Sequence, residues 1–344
     1  MAPKEDLTRY ARRGSTLKAD TGFHASVLQD VYERYVGCDL TQAPCSHAGG
    51  CRCAARYTFR GNLRRCGTAG GPAVFKRINS VWKTAQCFVC YFMWMHLAID
   101  PNMSEQWSKV GGAEWHGFSY KTFQNEVLPI GAALAACLDE VMFDDRLDPH
   151  NHAPPWAYHA TGVVDTLPIF VSQPEDFQCS SLLYQPKYKR TCYKVQLGIS
   201  FLGNIILWTG PHLGVRADST IWHDTSQQHY RRFRPREFWL ADLGYVGCIG
   251  LITKYKRRRK NTATGRRPRL PRARQYYNNV HEHVRNRVEN VVGQVKAHKI
   301  FKQTFTRKFE TLEAALAVVG HVTALQLRRY CRFRGYGPWS HRHG

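Results

Sequence analysis

Long apolar runs are missing from this chain. The longest, Cys87–Ile99, falls well short of the roughly 20 residues that a membrane-spanning helix needs, and it suits a buried helix instead. The opening residues, MAPKEDLTRYARRGS, lack the apolar core of a secretory signal, so an intracellular protein is expected. No internal repeat is apparent, which sets solenoids and arrays aside. Acids are scarce: 26 Asp and Glu stand against 49 Lys and Arg, for a formal net charge of +23. That balance makes a polyanion the first partner to consider, and nucleic acid before a membrane surface.

Paired metal-finger spacing is also missing: the one C-x2-C, Cys87 and Cys90, lies inside an apolar run and suits buried helix packing. The twelve cysteines do not form a disulfide framework in a long chain without a signal. Cys137, Cys192 and Cys248 stand singly in apolar runs and fit small core positions. Cys38, Cys45, His47, Cys51, Cys53 and Cys66 do cluster, but as C-x-C and C-x5-C rather than paired C-x2–4-C, so a structural zinc is not expected. What is present is apolar material for a core. At 43% hydrophobic and 12% aromatic residues, 344 residues suffice for two domains or one large domain with an extension.

Residues 1–155 read as a mostly helical region. Residues 117–142 have the cadence of a helix-turn-helix, with Ser119 as N-cap and Phe123, Val127, Ile130, Leu134 and Cys137 as the inward stripe. Any helical hairpin would look similar. Pro129 predicts a kink or break there. Asp144–Trp156 carries three prolines and reads as a linker, after which the composition changes. Tyr158–Val171 is strand-like and bisected by Asp165. Tyr193–Phe201 and Asn204–Trp208 are β-rich runs joined by Leu202-Gly203, a hairpin signal. Ala217–Thr225 suits a short helix capped by Asp218 or Ser219. Phe238–Ala241 is a short strand ending at Asp242, and Leu251–Thr253 another. The basic loop Lys254–Arg274 holds no acid. A helix over Val280–Lys299 and a C-terminal helix over about Phe309–Arg332 complete an α/β domain spanning 156–335.

The Val280–Lys299 stretch organises the rest. Val284, Val288, Val291 and Val295 form one buried helical stripe. Arg285, Glu289, Val292 and Lys296 repeat that spacing one residue on, so a single carboxylate sits at the rim of the packed face. Glu289 could simply pair with Arg285 at i,i+4. Asp165 could cap a turn, and Asp242 could open the Leu-Gly-Tyr turn. Alternatively, two strand acids and one helix acid make a cage of hard oxygen donors suited to Mg²⁺ or Mn²⁺. Two such ions roughly 3.5–4 Å apart serve phosphodiester chemistry.

Five segments in order carry a resemblance. They are Val163-Val-Asp165-Thr; Lys187-Tyr-Lys-Arg-Thr-Cys-Tyr-Lys-Val-Gln-Leu; Gly210-Pro-His-Leu-Gly-Val-Arg-Ala-Asp218-Ser; Leu240-Ala-Asp242-Leu-Gly-Tyr; and Tyr277-Asn followed by Arg285-Asn-Arg-Val-Glu289-Asn-Val-Val-Gly-Gln-Val-Lys296. Together, from about Ala160 to Phe305, they resemble the DDE superfamily endonuclease domain of Harbinger-type transposases. Thr166 stands where that family often has Gly, and Ala241 precedes the second acid where Gly is frequent. The resemblance implies an RNase H-like mixed sheet with flanking helices. It implies Asp165, Asp242 and Glu289 as catalytic, metal-binding acids with Asp218 as a further candidate ligand. It also implies cutting and joining of DNA in the nucleus, and a separate Myb-like DNA-binding partner. Self-association is left open. Lys256, Arg257, Arg258, Arg259 and Lys260, with Arg285 and Lys296, are candidates for phosphate contact, and the Lys256–Lys260 run also resembles a nuclear-localisation signal. A catalytically silent, transposon-derived DNA-binding protein is the alternative.

Overall fold

A computed structural model describes residues 17–36, 81–98, 123–256 and 269–330. The Cys38–Cys66 cluster, Ser119 and Arg257–Lys260 lie outside the described residues. The chain divides into two compact units, one from Met1–Glu140 with Val295–Gln326, the other from Val141–Gln294 with Leu327–Gly344.

In chain order the helices of the first part are α1 (Leu17–Thr21), α2 (Ala25–Val31), α3 (Val81–Leu97) and α4 (Leu128–Ala135). There follow β1 (Ala160–Phe170), α5 (Phe177–Leu183), β2 (Tyr184–Gln185), β3 (Arg190–Ser200), β4 (Ile205–Leu213) and α6 (Asp218–Tyr230). The remainder is β5 (Phe238–Ala241), β6 (Leu251–Thr253), α7 (Arg272–Lys296), α8 (Lys299–Lys302) and α9 (Phe309–Tyr330).

In the first unit α3 is buried on all sides from Cys87 to Met95, as its unbroken apolar sequence requires. Phe92 meets Phe23 edge-on at 5.6 Å and Phe88 meets Tyr32 at 5.3 Å. Pro129 falls at the second residue of α4, where a π turn over Phe123–Val127 gives way to α-helix; the backbone stays helical through Val127, so the helix changes type there without breaking. Phe123, Val127, Ile130 and Leu134 are all buried. No described helix is long and apolar enough to cross a membrane.

The second unit is built on a six-stranded mixed sheet ordered β2-β3-β1-β5-β6, with β4 paired to β3. β4, β3 and β1 run antiparallel, and β1, β5 and β6 run parallel, with helices flanking the sheet. This is the RNase H-like architecture expected from the sequence. The predicted hairpin is present, with Gly203 at φ +89°, a conformation that favours glycine. Trp222 of α6 and Trp239 of β5 are buried together with Phe143, Val164, Ile206 and Tyr245. A Cβ on Gly198 would come within 2.5 Å of the Trp239 ring, so that glycine admits the indole onto the sheet. Arg146 is also buried, and it pairs with buried Glu237 at 2.7 Å.

Two local expectations are corrected. The cap of α6 is Ala217, without a side-chain cap bond, and neither Asp218 nor Ser219 serves. The Asp218 carboxylate turns instead to Lys194, a buried ammonium that needs a counter-charge. The organising helix begins earlier than Val280: the Pro271 carbonyl accepts from Gln275 N–H, and α7 starts at Arg272.

Candidate active site

β1 and β5 pair in parallel with Val164 opposite Ala241. Continuing that register by one residue sets Asp165 and Asp242 side by side, on backbones roughly 4.8 Å apart. Asp242 stays extended just past β5, at φ −76° and ψ 172°. Asp165 is the more enclosed, with 25% of its side chain exposed against 46% for Asp242. Its Oδ1 accepts from the Thr166 backbone N–H at 2.8 Å.

Three polar anchors hold α7 over the sheet. His281 Nε2 donates to the Ile252 carbonyl of β6 at 3.1 Å. Arg285 Nη1 donates to Asp165 Oδ2 at 2.9 Å, and Arg287 Nη1 to the Phe201 carbonyl of the β3–β4 hairpin at 2.7 Å. Val284, Val288 and Val291 are fully buried, as the periodicity predicts. The Glu289 side chain remains 57% exposed and accepts from Arg285 Nη2 at 2.8 Å. The i,i+4 pair and the link to a strand acid thus coexist in one guanidinium.

A second carboxylate shares the rim. Glu282 lies 3.5 Å from Arg285 Nη2 and pairs with Lys254, whose ammonium is also 3.9 Å from Asp242. The expectation of a single rim carboxylate is therefore corrected: Glu282 and Glu289 flank Arg285. Asp218 completes the group from α6. Lys194 Nζ donates to Asp218 at 3.1 Å and to the Arg216 carbonyl at 2.6 Å. A Cβ on Gly244 would stand 2.9 Å from Asp218 Oδ2, so the glycine of the Leu-Gly-Tyr turn makes room for that carboxylate.

Beneath the acids lies a buried hydrogen-bonded chain. Gln196 Nε2 donates to the Tyr245 hydroxyl at 3.3 Å. That hydroxyl in turn shares a hydrogen bond with Thr166 Oγ1 at 2.5 Å, beside the N–H that holds Asp165.

Charge balance sets the electrostatics. Five carboxylates (Asp165, Asp218, Asp242, Glu282 and Glu289) face three cations (Arg285, Lys254 and Lys194), an excess of two negative charges. Burial raises the Asp165 pKa; the Thr166 N–H and Arg285 oppose the rise, while Asp242 and Asp218 add to it. Burial would lower the pKa of Arg285, but Asp165, Asp242, Glu289 and Glu282 together raise it, so the guanidinium stays charged. The hydrogen bond from Lys254 holds Glu282 below the usual carboxylate range. Burial keeps His281 neutral, lowering its pKa.

Hard oxygen donors with surplus negative charge fit a divalent cation of the Mg²⁺ or Mn²⁺ kind. Among the described residues, however, no group of three or more His, Cys, Asp or Glu side chains is arranged to hold a metal ion. Between Asp165 and Glu289 stands the Arg285 guanidinium. Of the residues predicted to contact phosphate, Arg285 is 8% exposed and engaged with these acids, while Lys256 is exposed just past β6. Lys296 is half-buried at the last residue of α7 and belongs to the other compact unit.

Sequence reasoning missed Glu282, Lys254, Lys194 and Tyr245. Glu282 alone had a signal, since 282, 285 and 289 share a helical face at i, i+3 and i+7. The others are joined to the site only by folding.

Residues 164–324 match the sequence model of a family described as DDE superfamily endonuclease. The match opens one residue before Asp165 and contains Asp218, Asp242, Glu282, Arg285 and Glu289. Neither a curated protein nor a solved structure matches the chain.

Proposed function

We propose that the chain is a divalent-metal-dependent DNA endonuclease and strand transferase of the Harbinger transposase type, with Asp165, Asp242 and Glu289 as its catalytic acids. The family match supports transposase-like nuclease chemistry. The observation that carries the site assignment is the bridge that Arg285 makes from Asp165 to Glu289, with Asp242 next to Asp165 in the strand register. Asp165, Asp242 and Glu289 would hold Mg²⁺ or Mn²⁺, with Asp218 as an additional donor. Such ions, when bound, lower the pKa of an attacking water or 3′-hydroxyl and stabilise the leaving oxygen of a phosphodiester.

The chain's own residues do the rest. The Thr166 N–H orients Asp165, and the strand pairing fixes Asp242 beside it. A DNA phosphate arriving at α7 competes for Arg285, a planar donor that suits phosphate and carboxylate alike. Transfer of Arg285 to that phosphate releases Asp165 and Glu289 together. Lys254 and Lys256, with the basic run that follows, hold the flanking backbone by charge. The same run provides a nuclear address, and a Myb-like partner follows from the resemblance alone.

Arg285 also favours a second reading. Its neutralisation of the acids suits a catalytically silent DNA-binding protein. Calorimetric Mn²⁺ titration of the wild type and Asp165→Ala, each with and without duplex DNA, separates the two. Saturable binding that the variant loses supports the nuclease. Absence of binding with and without DNA overturns it in favour of the silent binder.

A further inference from the structure

Tyr276 and Tyr277 are too few, as a sequence, to suggest base stacking. Folding adds to them. Tyr277 lies edge-on between Trp156, at 5.4 Å, and Tyr255, at 5.2 Å. The three rings come from a 3-10 turn before β1, the residue pair after β6, and the second turn of α7. Tyr277, touching both other rings and half-buried, is the inner ring, and burial pushes its hydroxyl pKa up to about 12. Trp156 is 37% exposed and Tyr255 45% exposed, so both outer rings reach solvent.

Tyr255 is also held in place. Its N–H donates to Asn278 Oδ1 at 2.8 Å, and its carbonyl accepts from Asn278 Nδ2 at 3.0 Å. Arg274 lies over its ring, 4.9 Å from the centroid. A small core would hide such rings. Here two of them face solvent among cations, with Lys256 exposed alongside.

We infer that Trp156 and Tyr255, backed by Tyr277 and flanked by Arg274 and Lys256, form a stacking platform for unpaired nucleotides of a DNA strand beside the acids. The inference rests on the proposed nuclease reading for its substrate, and it adds that the strand is unpaired there. Aromatic faces stack on bases of any sequence, but only on bases whose own faces are free. Inside a duplex those faces are covered by neighbouring base pairs, so the platform selects single-stranded DNA while the cations grip phosphates of either form. Along α7, Tyr277 is about 12 Å from Arg285, the rise of eight residues. That span is about three stacked nucleotides of one strand. Lys254, next to Tyr255, bridges the platform to Asp242 and Glu282.

Fluorescence anisotropy with labelled oligo-dT and with a blunt duplex, in EDTA at one fixed salt concentration, tests this. Trp156→Ala and Tyr255→Ala are each expected to weaken oligo-dT binding about tenfold. Duplex binding should change less than twofold. Trp156→Phe and Tyr255→Phe keep a ring and should retain oligo-dT binding, which controls for misfolding. Equal losses for oligo-dT and duplex, or no loss of oligo-dT binding, overturn the platform. Because the assay excludes metal, the platform stands or falls apart from the nuclease reading. Failure of the latter appears as DNA left uncut in Mg²⁺ by a protein that still prefers oligo-dT.

Discussion

Arg285 Nη1 donates to Asp165 Oδ2 at 2.9 Å, joining residues 120 positions apart in the chain. The same guanidinium reaches Glu289 at 2.8 Å. One side chain thereby substitutes for a cation between two carboxylates that would otherwise repel.

Replacing it uncovers that repulsion. Arg285→Ala should destabilise the protein in EDTA by roughly 1–3 kcal/mol, since its acids lose their central counter-charge. Added Mn²⁺ should restore the loss and bind without DNA about tenfold more tightly than to the wild type. Arg285 also lowers the Asp165 pKa, so its removal lets that pKa rise further. The acid limb of Mn²⁺ binding should therefore move to higher pH in the variant. Thermal melts with and without Mn²⁺, and titrations across pH, check both effects. An unchanged limb would mean that Arg285 does not govern Asp165.

Asp165→Asn should change how stability depends on pH. A carboxyl whose folded pKa is raised by burial costs stability above that pKa and nothing below its unfolded value of about 3.9. The amide oxygen can accept from the Thr166 N–H or from Arg285, but not from both. In EDTA the wild type should therefore gain in melting temperature relative to the variant as pH falls through the folded Asp165 pKa. Melting curves at neutral and acidic pH measure it, and a difference that does not change with pH would contradict the argument.

Tyr245→Phe removes the hydroxyl that joins Gln196 to Thr166. The buried Gln196 keeps its bond from Thr225 but Nε2 loses the Tyr245 oxygen, which should cost about 1–3 kcal/mol. Thr166 also loses its side-chain tether next to the N–H that orients Asp165, so Mn²⁺ affinity should fall with stability. Calorimetry on the folded variant distinguishes this from a purely structural loss, in which affinity would stay as in the wild type.

Glu237→Ala should be the most damaging of these substitutions. Glu237 accepts from Arg146 at 2.7 Å, from Thr161 at 2.6 Å and from the Arg234 N–H at 2.7 Å. Its removal leaves the buried Arg146 with the exposed Asp144 as its remaining carboxylate and takes the acceptor from Thr161 and the Arg234 N–H, a combined loss of about 3–5 kcal/mol. Replacing both residues, as Arg146→Met with Glu237→Leu, should cost less than Glu237→Ala alone. Denaturant melts of the single and double variants decide between a buried pair and independent side chains.

Much of this protein is set by sequence period and composition. The valine stripe of α7, the strand pattern around Asp165, the hairpin at Gly203 and the buried helix at Cys87 each depend on neighbours a few residues away. Local geometry suffices for those. Spacing also brought Arg285 and Glu289 to one helical face. It left open whether that face meets solvent, a phosphate or another acid, because a face specifies direction and not partner. The tertiary structure decided that Arg285 stands between Asp165 and Glu289, that Lys254 shares Glu282 with it, and that Asp218 answers Lys194 instead of capping its helix. It also brought Trp156, from the turn before β1, to Tyr277 of α7. Partners separated by 24 to 121 residues carry no common period, and only the strand register and the seating of α6 and α7 bring them within hydrogen-bonding or ring-contact distance.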